Sequence, residues 1–574
     1  MAYNEDMYID IVPNRKSPPA ILLRESVREG QKIVKRTIAN LSSLSLEQAQ
    51  LIRQVLKGEP LVAPEACFDI VNSKAHGDVD AVLLTMRKLG FDNLVASRSS
   101  KERDLVVAMV ASRILHPESK LAFSRNWENS TLGELLGIDG ASEDDLYAAM
   151  DWLYERQDII EKKLAKRHLS PGDHVLYDLS SSYFEGKQCP LGKRGYSRDQ
   201  KKGKLQVNYG LLTDRRGCPI SLSAFPGNTS DATTFLPQVE RVQNDFALES
   251  VTLVGDRGMI SEVQLKALRE RSGIDWITAL KSGSIRKLCD EQAIQLTLFD
   301  ERNLFEFTHA DFPGERLIAC RNPELAHHRC KTRTSLLEAT TQALTKVQSM
   351  VARGSLKGAD KIGVRTGRVI NQYKMAKHFT LDIAEAAFRF EIDAESVSKE
   401  AELDGIYVIR SSLEKDRRSA NDIVLDYKSL SQVERAFRSI KTTDLQVRPI
   451  YHYEENRVRT HLFICMLAYY VKWHMMEAWR PLLFADEAQE EKRERDAVAP
   501  AKRSNPAEEK VRSKKLADGS PAHSFQSLLG HLKSIVRNTC KRRGADASEP
   551  CFVIDTQLSQ TQQKAYQLLK KVKV

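Results

Sequence analysis

Two short apolar stretches of the chain each run directly into an aspartate. Asp178 follows V175-L-Y, and Asp256 follows V251-T-L-V-G. A lone carboxylate in an apolar setting is costly, so it needs a partner such as a cation. If both stretches are strands of one sheet, their ends can place the two acids side by side, where like charges raise a pKa unless a cation lies between them. Oxygen ligands of this kind suit Mg²⁺ or Mn²⁺ rather than zinc.

A third acid lies on a helix predicted over D426-Y-K-S-L-S-Q-V-E-R-A-F-R-S-I-K441. Its apolar residues recur at helical spacing and predict the buried face: Leu430, Val433, Phe437 and Ile440. Tyr427, Glu434 and Lys441 are seven residues apart, about two turns each, so a continuous helix aligns them in one stripe. A metal-binding carboxylate between two phosphate-binding groups suits phosphodiester cleavage. Two metal ions about 4 Å apart can activate the attacking oxygen and stabilise the leaving one.

The elements that must position these acids follow an α/β order. A tight turn at D214-R-R-G217 predicts that the second and third strands form a hairpin. The predicted strands are H174-V-L-Y-D178, K204–T213, C218–F225, V251–D256, D275–L280 and I406–S411. Predicted helices lie near T233–F246, at S261–R271 and over residues 428–441. The first part of this core spans residues 171–280, and its second part, 405–480, carries the Glu434 helix.

Other segments surround and interrupt that core. Residues 281–404 contain short β-like runs and a helical stretch around S335–R353, so we interpret them as an inserted domain. Residues 1–77 are predicted to be β-rich, and residues 78–170 have helical periodicity. The helices of 78–170 end in basic residues, which suits DNA binding, although a solvated helical bundle explains them equally well. Residues 481–574 are interpreted as a flexible mixed-charge segment followed by a helical C-terminal region.

The three acids, in this order, resemble the RNase H-like core of DDE transposases. More narrowly, the chain resembles bacterial insertion-sequence transposases with a Tyr-Arg-Glu-Lys signature and a β-rich insertion before the Glu helix. Tyr427, Glu434 and Lys441 fit that signature, whereas Leu430 stands at its Arg position and Arg438 could substitute. Three further stretches also look like that family: F225-P-G-N-T-S-D231, G255-D-R-G258 and D404-G-I-Y-V-I-R410.

The resemblance implies a fold and an activity. The expected fold is an RNase H-like mixed-sheet core with a β-rich insertion, an N-terminal β plus helical DNA-binding region and a helical C-terminal tail. Asp178, Asp256 and Glu434 are expected to be catalytic and to hold Mg²⁺ or Mn²⁺, as two ions, while Tyr427 and Lys441 grip phosphates near the cut. The reaction implied is cut-and-paste transposition. One strand is hydrolysed at each transposon end, and the freed 3′-OH attacks a second phosphodiester.

The implied partners are double-stranded DNA and further copies of the chain. The DNA comprises the terminal inverted repeats and the target, and family members self-associate when two ends are brought together in a synaptic complex. A basic run, K193-R-G-Y-S-R-D-Q-K-K-G-K204, lies between the first two predicted core strands. Lys193, Arg194 and Arg198 are therefore expected to contact the DNA backbone. The excess of 87 basic over 77 acidic residues and a pI near 9.0 suit such a partner without requiring it.

Plainer interpretations compete with these assignments. Glu185 is a rival carboxylate that the prediction places past a strand end, and Asp231 is predicted to cap the helix near Thr233. Asp426 and Asp444 are interpreted as cap or surface groups. His452 and His461 are interpreted as packing or DNA-contact residues. Two rival functions also remain open: a non-catalytic DNA-binding protein derived from a transposase, and a nuclease on the same fold.

Composition limits the remaining possibilities. The nine cysteines are scattered, which favours reduced thiols over a disulfide framework. Cys320, His327, His328 and Cys330 form one loose grouping, which argues against zinc because metal sites usually show two close pairs. The longest apolar run, L462–V471, is about half the length of a membrane span and is predicted to be a core helix. A cytoplasmic, nucleoid-associated bacterial protein without a membrane partner is the expectation.

Overall fold

The structure is a computed structural model of the 574-residue chain. It describes residues 7–14, 17–58, 67–295, 298–442, 444–488, 497–499, 502–543 and 548–573. These form two compact units. The smaller comprises Met1–Lys74 with Val536–Thr556, and the larger comprises Ala75–Ile535 with Gln557–Val574.

The described part of the chain contains sixteen strands and twenty α-helices. The strands are β1 (Met7–Val12), β2 (Ala20–Glu29), β3 (Lys32–Asn40), β4 (Phe68–Ala75), β5 (His174–Phe184), β6 (Leu205–Asp214), β7 (Pro219–Pro226), β8 (Val251–Gly255), β9 (Ile274–Ala279), β10 (Leu304–Phe307), β11 (Arg316–Arg321), β12 (Phe379–Ile383), β13 (Phe388–Ile392), β14 (Ile406–Ser411), β15 (Val536–Arg542) and β16 (Phe552–Asp555). The helices are α1 (Leu46–Leu56), α2 (Gly77–Lys88), α3 (Phe91–Val95), α4 (Lys101–Leu115), α5 (Lys120–Arg125), α6 (Leu132–Leu136), α7 (Glu143–Tyr154), α8 (Gln157–His168), α9 (Asp231–Glu240), α10 (Glu262–Arg269), α11 (Ser282–Asp290), α12 (Pro323–Ala352), α13 (Ala359–Tyr373), α14 (Ala394–Ala401), α15 (Ala420–Lys428), α16 (Leu430–Lys441), α17 (Glu455–Ala478), α18 (Asn505–Ser513), α19 (Phe525–Lys533) and α20 (Gln560–Leu569).

The smaller unit contains two antiparallel three-stranded sheets. In the first, β2 pairs with both β1 and β3, and α1 packs on it through Ala49. The second has the order β16-β15-β4, so two strands from the C-terminal region join one from the N-terminal region. The sequence analysis predicted only helices for the C-terminal region. It missed the hairpin of β15 and β16, whose second partner strand, β4, lies more than 460 residues before β15 in the chain.

The larger unit is built around one mixed sheet of eight strands, in the order β10-β11-β14-β9-β8-β5-β6-β7. Strand β8 pairs in parallel with both β5 and β9, and the remaining pairs of neighbouring strands are antiparallel. Most residues of β5, β6 and β8 are buried, as expected for strands covered on both faces. The expectation of a mixed α/β protein with a large mixed sheet is confirmed.

Helix α17 forms the centre of the helical layer of the larger unit. Every residue of the apolar run 462–471 is buried, which confirms the predicted core helix. Within the described ranges, none of the helices combines the length and the apolar character that crossing a bilayer requires.

Residues 281–404 differ from the predicted β-rich insertion. Strands β10 and β11 extend the main sheet beside β14, and β12 and β13 form a separate hairpin. The rest is mainly helical, dominated by the 30-residue α12 and the 15-residue α13. The β-like runs at residues 317–320 and 388–392 are strands, and the helical stretch predicted around residues 335–353 lies in α12, but α12 begins earlier than predicted and α13 follows it, so helices outweigh strands.

Candidate active site

Asp178 and Asp256 lie next to each other on neighbouring parallel strands. The last pair between β5 and β8 is Tyr177 with Gly255, and each aspartate is the next residue of its strand or chain. Strand β8 ends there, as predicted. Strand β5 does not end at Asp178 but continues to Phe184, because β6 remains paired with it from Asp178 opposite Leu211 onward. The aspartate therefore sits where one neighbour of β5 stops, not where β5 itself stops.

The carboxyl group of Asp178 interacts electrostatically with both of the other predicted acids. Burial, with a smaller contribution from the negative charges of Asp256 and Glu434, raises its pKa to about 6. The backbone N–H of Leu179, which donates to Asp178 at 2.8 Å, and the charge of Arg198 oppose that rise. The three acids, separated by as many as 256 residues in the chain, are thus close enough to interact.

Glu434 projects from the exposed side of α16. Val433, Phe437 and Ile440 on the same helix are buried, and Leu430 is partly buried, as the apolar spacing predicted. Burying that face against the main sheet and α17 leaves the carboxylate on the opposite side, exposed to solvent.

Tyr427 does not belong to the Glu434 helix, contrary to the prediction of one continuous helix. It lies near the end of α15, and Ser429 separates α15 from α16. The Ser429 hydroxyl donates to the carbonyl oxygen of Asp426, and the Gln432 N–H donates to the Ser429 carbonyl oxygen. These local bonds compete with regular helical pairing at the break. The Tyr427 hydroxyl nevertheless reaches the acids, since it donates to Oδ1 of Asp256 at 3.3 Å.

Lys441 is held by an acid that the sequence analysis did not single out. Its Nζ lies 3.0 Å from Oδ1 of Asp199, and Arg448 contacts the same oxygen. The Asp199 side chain is 1 % exposed, and its other oxygen accepts from the N–H of Tyr183 at 3.2 Å. Burial lowers the pKa of Lys441, although Asp199 opposes this. The lysine predicted to grip phosphate is therefore already ion-paired. In the sequence, the one sign of its partner is that Asp199 is the single acid in the basic run of residues 193–204.

The predicted DNA-contacting basic residues fall into two groups. Lys193, Arg194 and Arg438 are exposed. Arg198 instead forms a bidentate ion pair with Asp231, with both N–O distances at 2.7 Å. Asp231 is thus an ion-pair partner rather than the predicted cap of its helix, for which Ser230 is the N-cap residue.

The other acids considered as rivals also have partners. Glu185 accepts from Lys204 at 2.7 Å. Asp426, predicted to be a cap or surface group, is buried and forms a bidentate ion pair with Arg418. Asp444 accepts from the buried Lys472 and from Ser439, so it links α17 to α16.

His461 is buried in α17, and His452 is half-buried in the segment that precedes this helix. His461 lies 2.9 Å from the Val447 carbonyl oxygen through Nε2, and its ring packs near that of His452. Burial lowers the pKa of His452 to about 3, so it is neutral at physiological pH. This favours the packing interpretation.

The donor set of the three acids suits a hard divalent cation. All the donors are carboxylate oxygens, and the negative charges of Asp256 and Glu434 both act to raise the pKa of Asp178, so a cation bound among them would be stabilised. The three carboxylates are not among the groups whose ligand atoms all lie within 4.8 Å of one another in the described residues. Two ions about 4 Å apart, however, need ligands spread more widely than one ion does.

The main sheet and α16 thus bring together three carboxylates, a donor set that suits the divalent ions used in phosphodiester cleavage. Residues 170–471, more than half of the chain, match the family model for the transposase DDE domain, and the chain belongs to that family of DNA transposases. Residues 9–64 match the N-terminal domain of IS1634 family transposases. The resemblance to insertion-sequence DDE transposases is therefore confirmed.

Other comparisons add little to this assignment. No curated protein matches the chain. Among solved structures, a cryo-EM structure of a piggyBac transposase synaptic complex with hairpin DNA matches at 10 % identity, over 79 % of this chain and 76 % of that one. Its TM-score of 0.32 is too low to support a conclusion about the fold.

Proposed function

We propose that this transposase cleaves and joins DNA strands at transposon ends with Asp178, Asp256 and Glu434 as its catalytic acids. The observation that carries the proposal is the register of β5 and β8, which aligns Asp178 with Asp256, while Glu434 lies near enough to act on the Asp178 carboxyl group. In this proposal, residues 171–280 and 405–480 form an RNase H-like core interrupted by 281–404, and residues 78–170 contribute DNA binding.

The three carboxylates would hold Mg²⁺ or Mn²⁺, as two ions. Bound there, the metal supplies Lewis-acid activation for phosphodiester hydrolysis and for transesterification by a 3′-OH. The chain's own residues orient the acids and the DNA. Tyr427 holds Asp256 through its hydroxyl, and Leu179 holds Asp178 through its backbone N–H.

Phosphate binding is assigned to the basic groups around these acids. Lys193, Arg194 and Arg438 are exposed and available to the backbone. Lys441, buried beside Asp199, would contact a phosphate only near the reacting strand. Arg198 would act mainly through its ion pair with Asp231, which anchors the basic segment to the start of α9.

The test is a cleavage and strand-transfer assay on the DNA that flanks the gene, with Mg²⁺ present. Wild-type protein should nick the ends and join the 3′-OH to target DNA, whereas Asp256→Asn should bind ends normally and lose cleavage. Asp416→Asn, at an exposed turn outside the site, is the matched control and should keep full activity.

Each remaining outcome contradicts part of the proposal. Cleavage retained by Asp256→Asn would remove that acid from the catalytic set. A wild-type chain that binds ends and never nicks them would be a non-catalytic DNA-binding protein. A chain that hydrolyses DNA and never joins it would be a nuclease. Self-association on paired ends is expected and can be measured by light scattering of the DNA complex.

A further inference from the structure

A second set of metal-ligating side chains lies in the larger unit, outside the three acids. His168 is the last residue of α8, Cys218 immediately precedes β7, and His474 lies on α17. One ligand atom from each of them lies within 4.8 Å of the other two. Three segments that are distant in the chain therefore bring two imidazoles and a thiol to one point.

The surroundings of this cluster are largely closed to solvent. Cys218 is 0 % exposed and His474 is 7 % exposed, while His168 is half-buried. Sγ of Cys218 lies 3.9 Å from Nε2 of His474. Zinc bonds of about 2.3 Å to sulfur and about 2.0 Å to nitrogen at a tetrahedral angle would place those two atoms about 3.6 Å apart. Cys218 and His474 therefore need to approach each other by only a few tenths of an ångström to share one ion, and the ligand atom of His168 lies within 4.8 Å of both.

Charged groups of both signs surround the cluster, since Arg167 and Arg216 act on both histidines and Arg216 is itself paired with Asp214 at 2.8 Å. The Tyr470 hydroxyl lies 3.0 Å from Nε2 of His168, a contact of the kind that orients metal-binding imidazoles from outside the ligand set. The Asp214 carboxylate interacts electrostatically with both His168 and Cys218, and it also accepts a hydrogen bond from the backbone N–H of Cys218 at 2.9 Å.

We propose that His168, Cys218 and His474 bind one Zn²⁺ ion that ties α8 and α17 to the edge of the main sheet. Nitrogen and sulfur donors favour zinc, whereas the carboxylates of Asp178, Asp256 and Glu434 favour Mg²⁺ or Mn²⁺. The two sites would therefore select different metals from the same solution. This site is independent of the proposed catalytic function.

Two other groupings are weaker candidates. Cys320, His327, His328 and Cys330, which the sequence analysis considered, do not form such a cluster among the described residues. Glu291, His309 and Asp311 do, but the ammonium of Lys287 lies 2.6 Å from Asp311 and 3.6 Å from Glu291 and already compensates their charge. Both groupings supply matched controls.

The test measures zinc bound to the full-length chain after chelator treatment and reconstitution with one equivalent of Zn²⁺ in excess Mg²⁺. Wild type, Cys330→Ser and His309→Gln should each retain about one zinc per chain, whereas Cys218→Ser and His474→Gln should retain little. Zinc should raise the Tm of the wild type and leave that of Cys218→Ser unchanged. Binding should also release protons, because the buried thiol must lose its own.

Cobalt substitution keeps the test decisive if the variants fold poorly. Wild-type protein loaded with Co²⁺ should show a thiolate-to-cobalt charge-transfer band and the visible spectrum of a tetrahedral site. A wild type that retains no zinc, or that shows no such band, would overturn the proposal and leave a hydrogen-bonded histidine and cysteine cluster. Zinc retained equally by Cys218→Ser and His474→Gln would also overturn it.

Discussion

Asp178 and Asp256 occupy equivalent positions on adjacent parallel strands, each one residue beyond the pair formed by Tyr177 and Gly255. The register of two strands therefore aligns the two acids. No loop has to fold over to bring them together. Since β5 continues past this point and β8 does not, Asp178 is largely buried while Asp256 is exposed. The pair thus has one carboxyl of raised pKa beside one that faces solvent.

This asymmetry predicts the pH dependence of DNA cleavage. Because the pKa of Asp178 is raised to about 6, its carboxyl is ionised above that pH and protonated below it. Cleavage should rise as pH increases through about 6 and then level off. Higher Mg²⁺ should move the midpoint to lower pH, since the cation competes with the proton. A single-turnover rate that does not change between pH 5 and 7, roughly one unit either side of that pKa, would contradict this assignment.

The same raised pKa predicts that Asp178 destabilises the metal-free protein. Its pKa is higher in the folded chain than the 3.8 of the free side chain, so its contribution to stability is lost as pH rises from about 4 to about 6. A difference of about two in pKa corresponds to roughly 3 kcal/mol. Asp178→Asn should therefore raise the free energy of unfolding at pH 7 without divalent ions, by up to that amount. The gain should vanish at pH 4, and urea unfolding at both pH values checks it.

Asp199 should support both stability and cleavage. Replacing it with Asn leaves the largely buried charge of Lys441 and the half-buried charge of Arg448 without their carboxylate, which costs up to about 3 kcal/mol of unfolding free energy. Because Lys441 then loses its fixed position, cleavage should fall more than end binding does. Denaturant unfolding and a binding assay separate the two effects. Asp416→Asn again serves as the control, and equal stability of the two variants would contradict the role of Asp199.

Tyr427→Phe should have a small effect on activity. The ring stays and only the 3.3 Å bond to Asp256 is lost, which is worth about 1 kcal/mol or less. Single-turnover cleavage should fall by up to about tenfold, with DNA affinity nearly unchanged. A loss as large as that of Asp256→Asn would instead make the phenol essential to the chemistry.

The exposed basic residues predict a defined salt dependence of DNA binding. If Lys193 and Arg194 each neutralise one phosphate, the double alanine variant should reduce the slope of log K against log salt by about 2. Fluorescence anisotropy over a range of salt concentrations measures that slope. Arg198→Ala is not an equivalent test of phosphate neutralisation, because it also breaks the ion pair with Asp231. An unchanged slope for the double variant would place the DNA elsewhere.

Local patterns in the sequence were sufficient to predict most of the core. The apolar runs ending at Asp178 and Asp256, the hairpin at residues 214–217 and the buried face of α16 are all encoded by neighbouring residues. Strand ends and helix faces depend on short-range periodicity, so these predictions needed no knowledge of the packing. They led to the three acids and, with the Tyr–Glu–Lys spacing, to the resemblance that the family match confirms.

Most of the errors in the predictions concern partners that are distant in the chain, although the break at Ser429 accompanies local hydrogen bonds. The continuation of β5 to Phe184 and the ion pair of Lys441 with Asp199 depend on which surfaces meet after folding. The same holds for β15 beside β4 and for the cluster of His168, Cys218 and His474. The sequence by itself determined which residues could do chemistry and which local elements carry them. Only the tertiary structure decided which charges neutralise one another, because a side chain's long-range partners are set by packing and not by its neighbours in sequence.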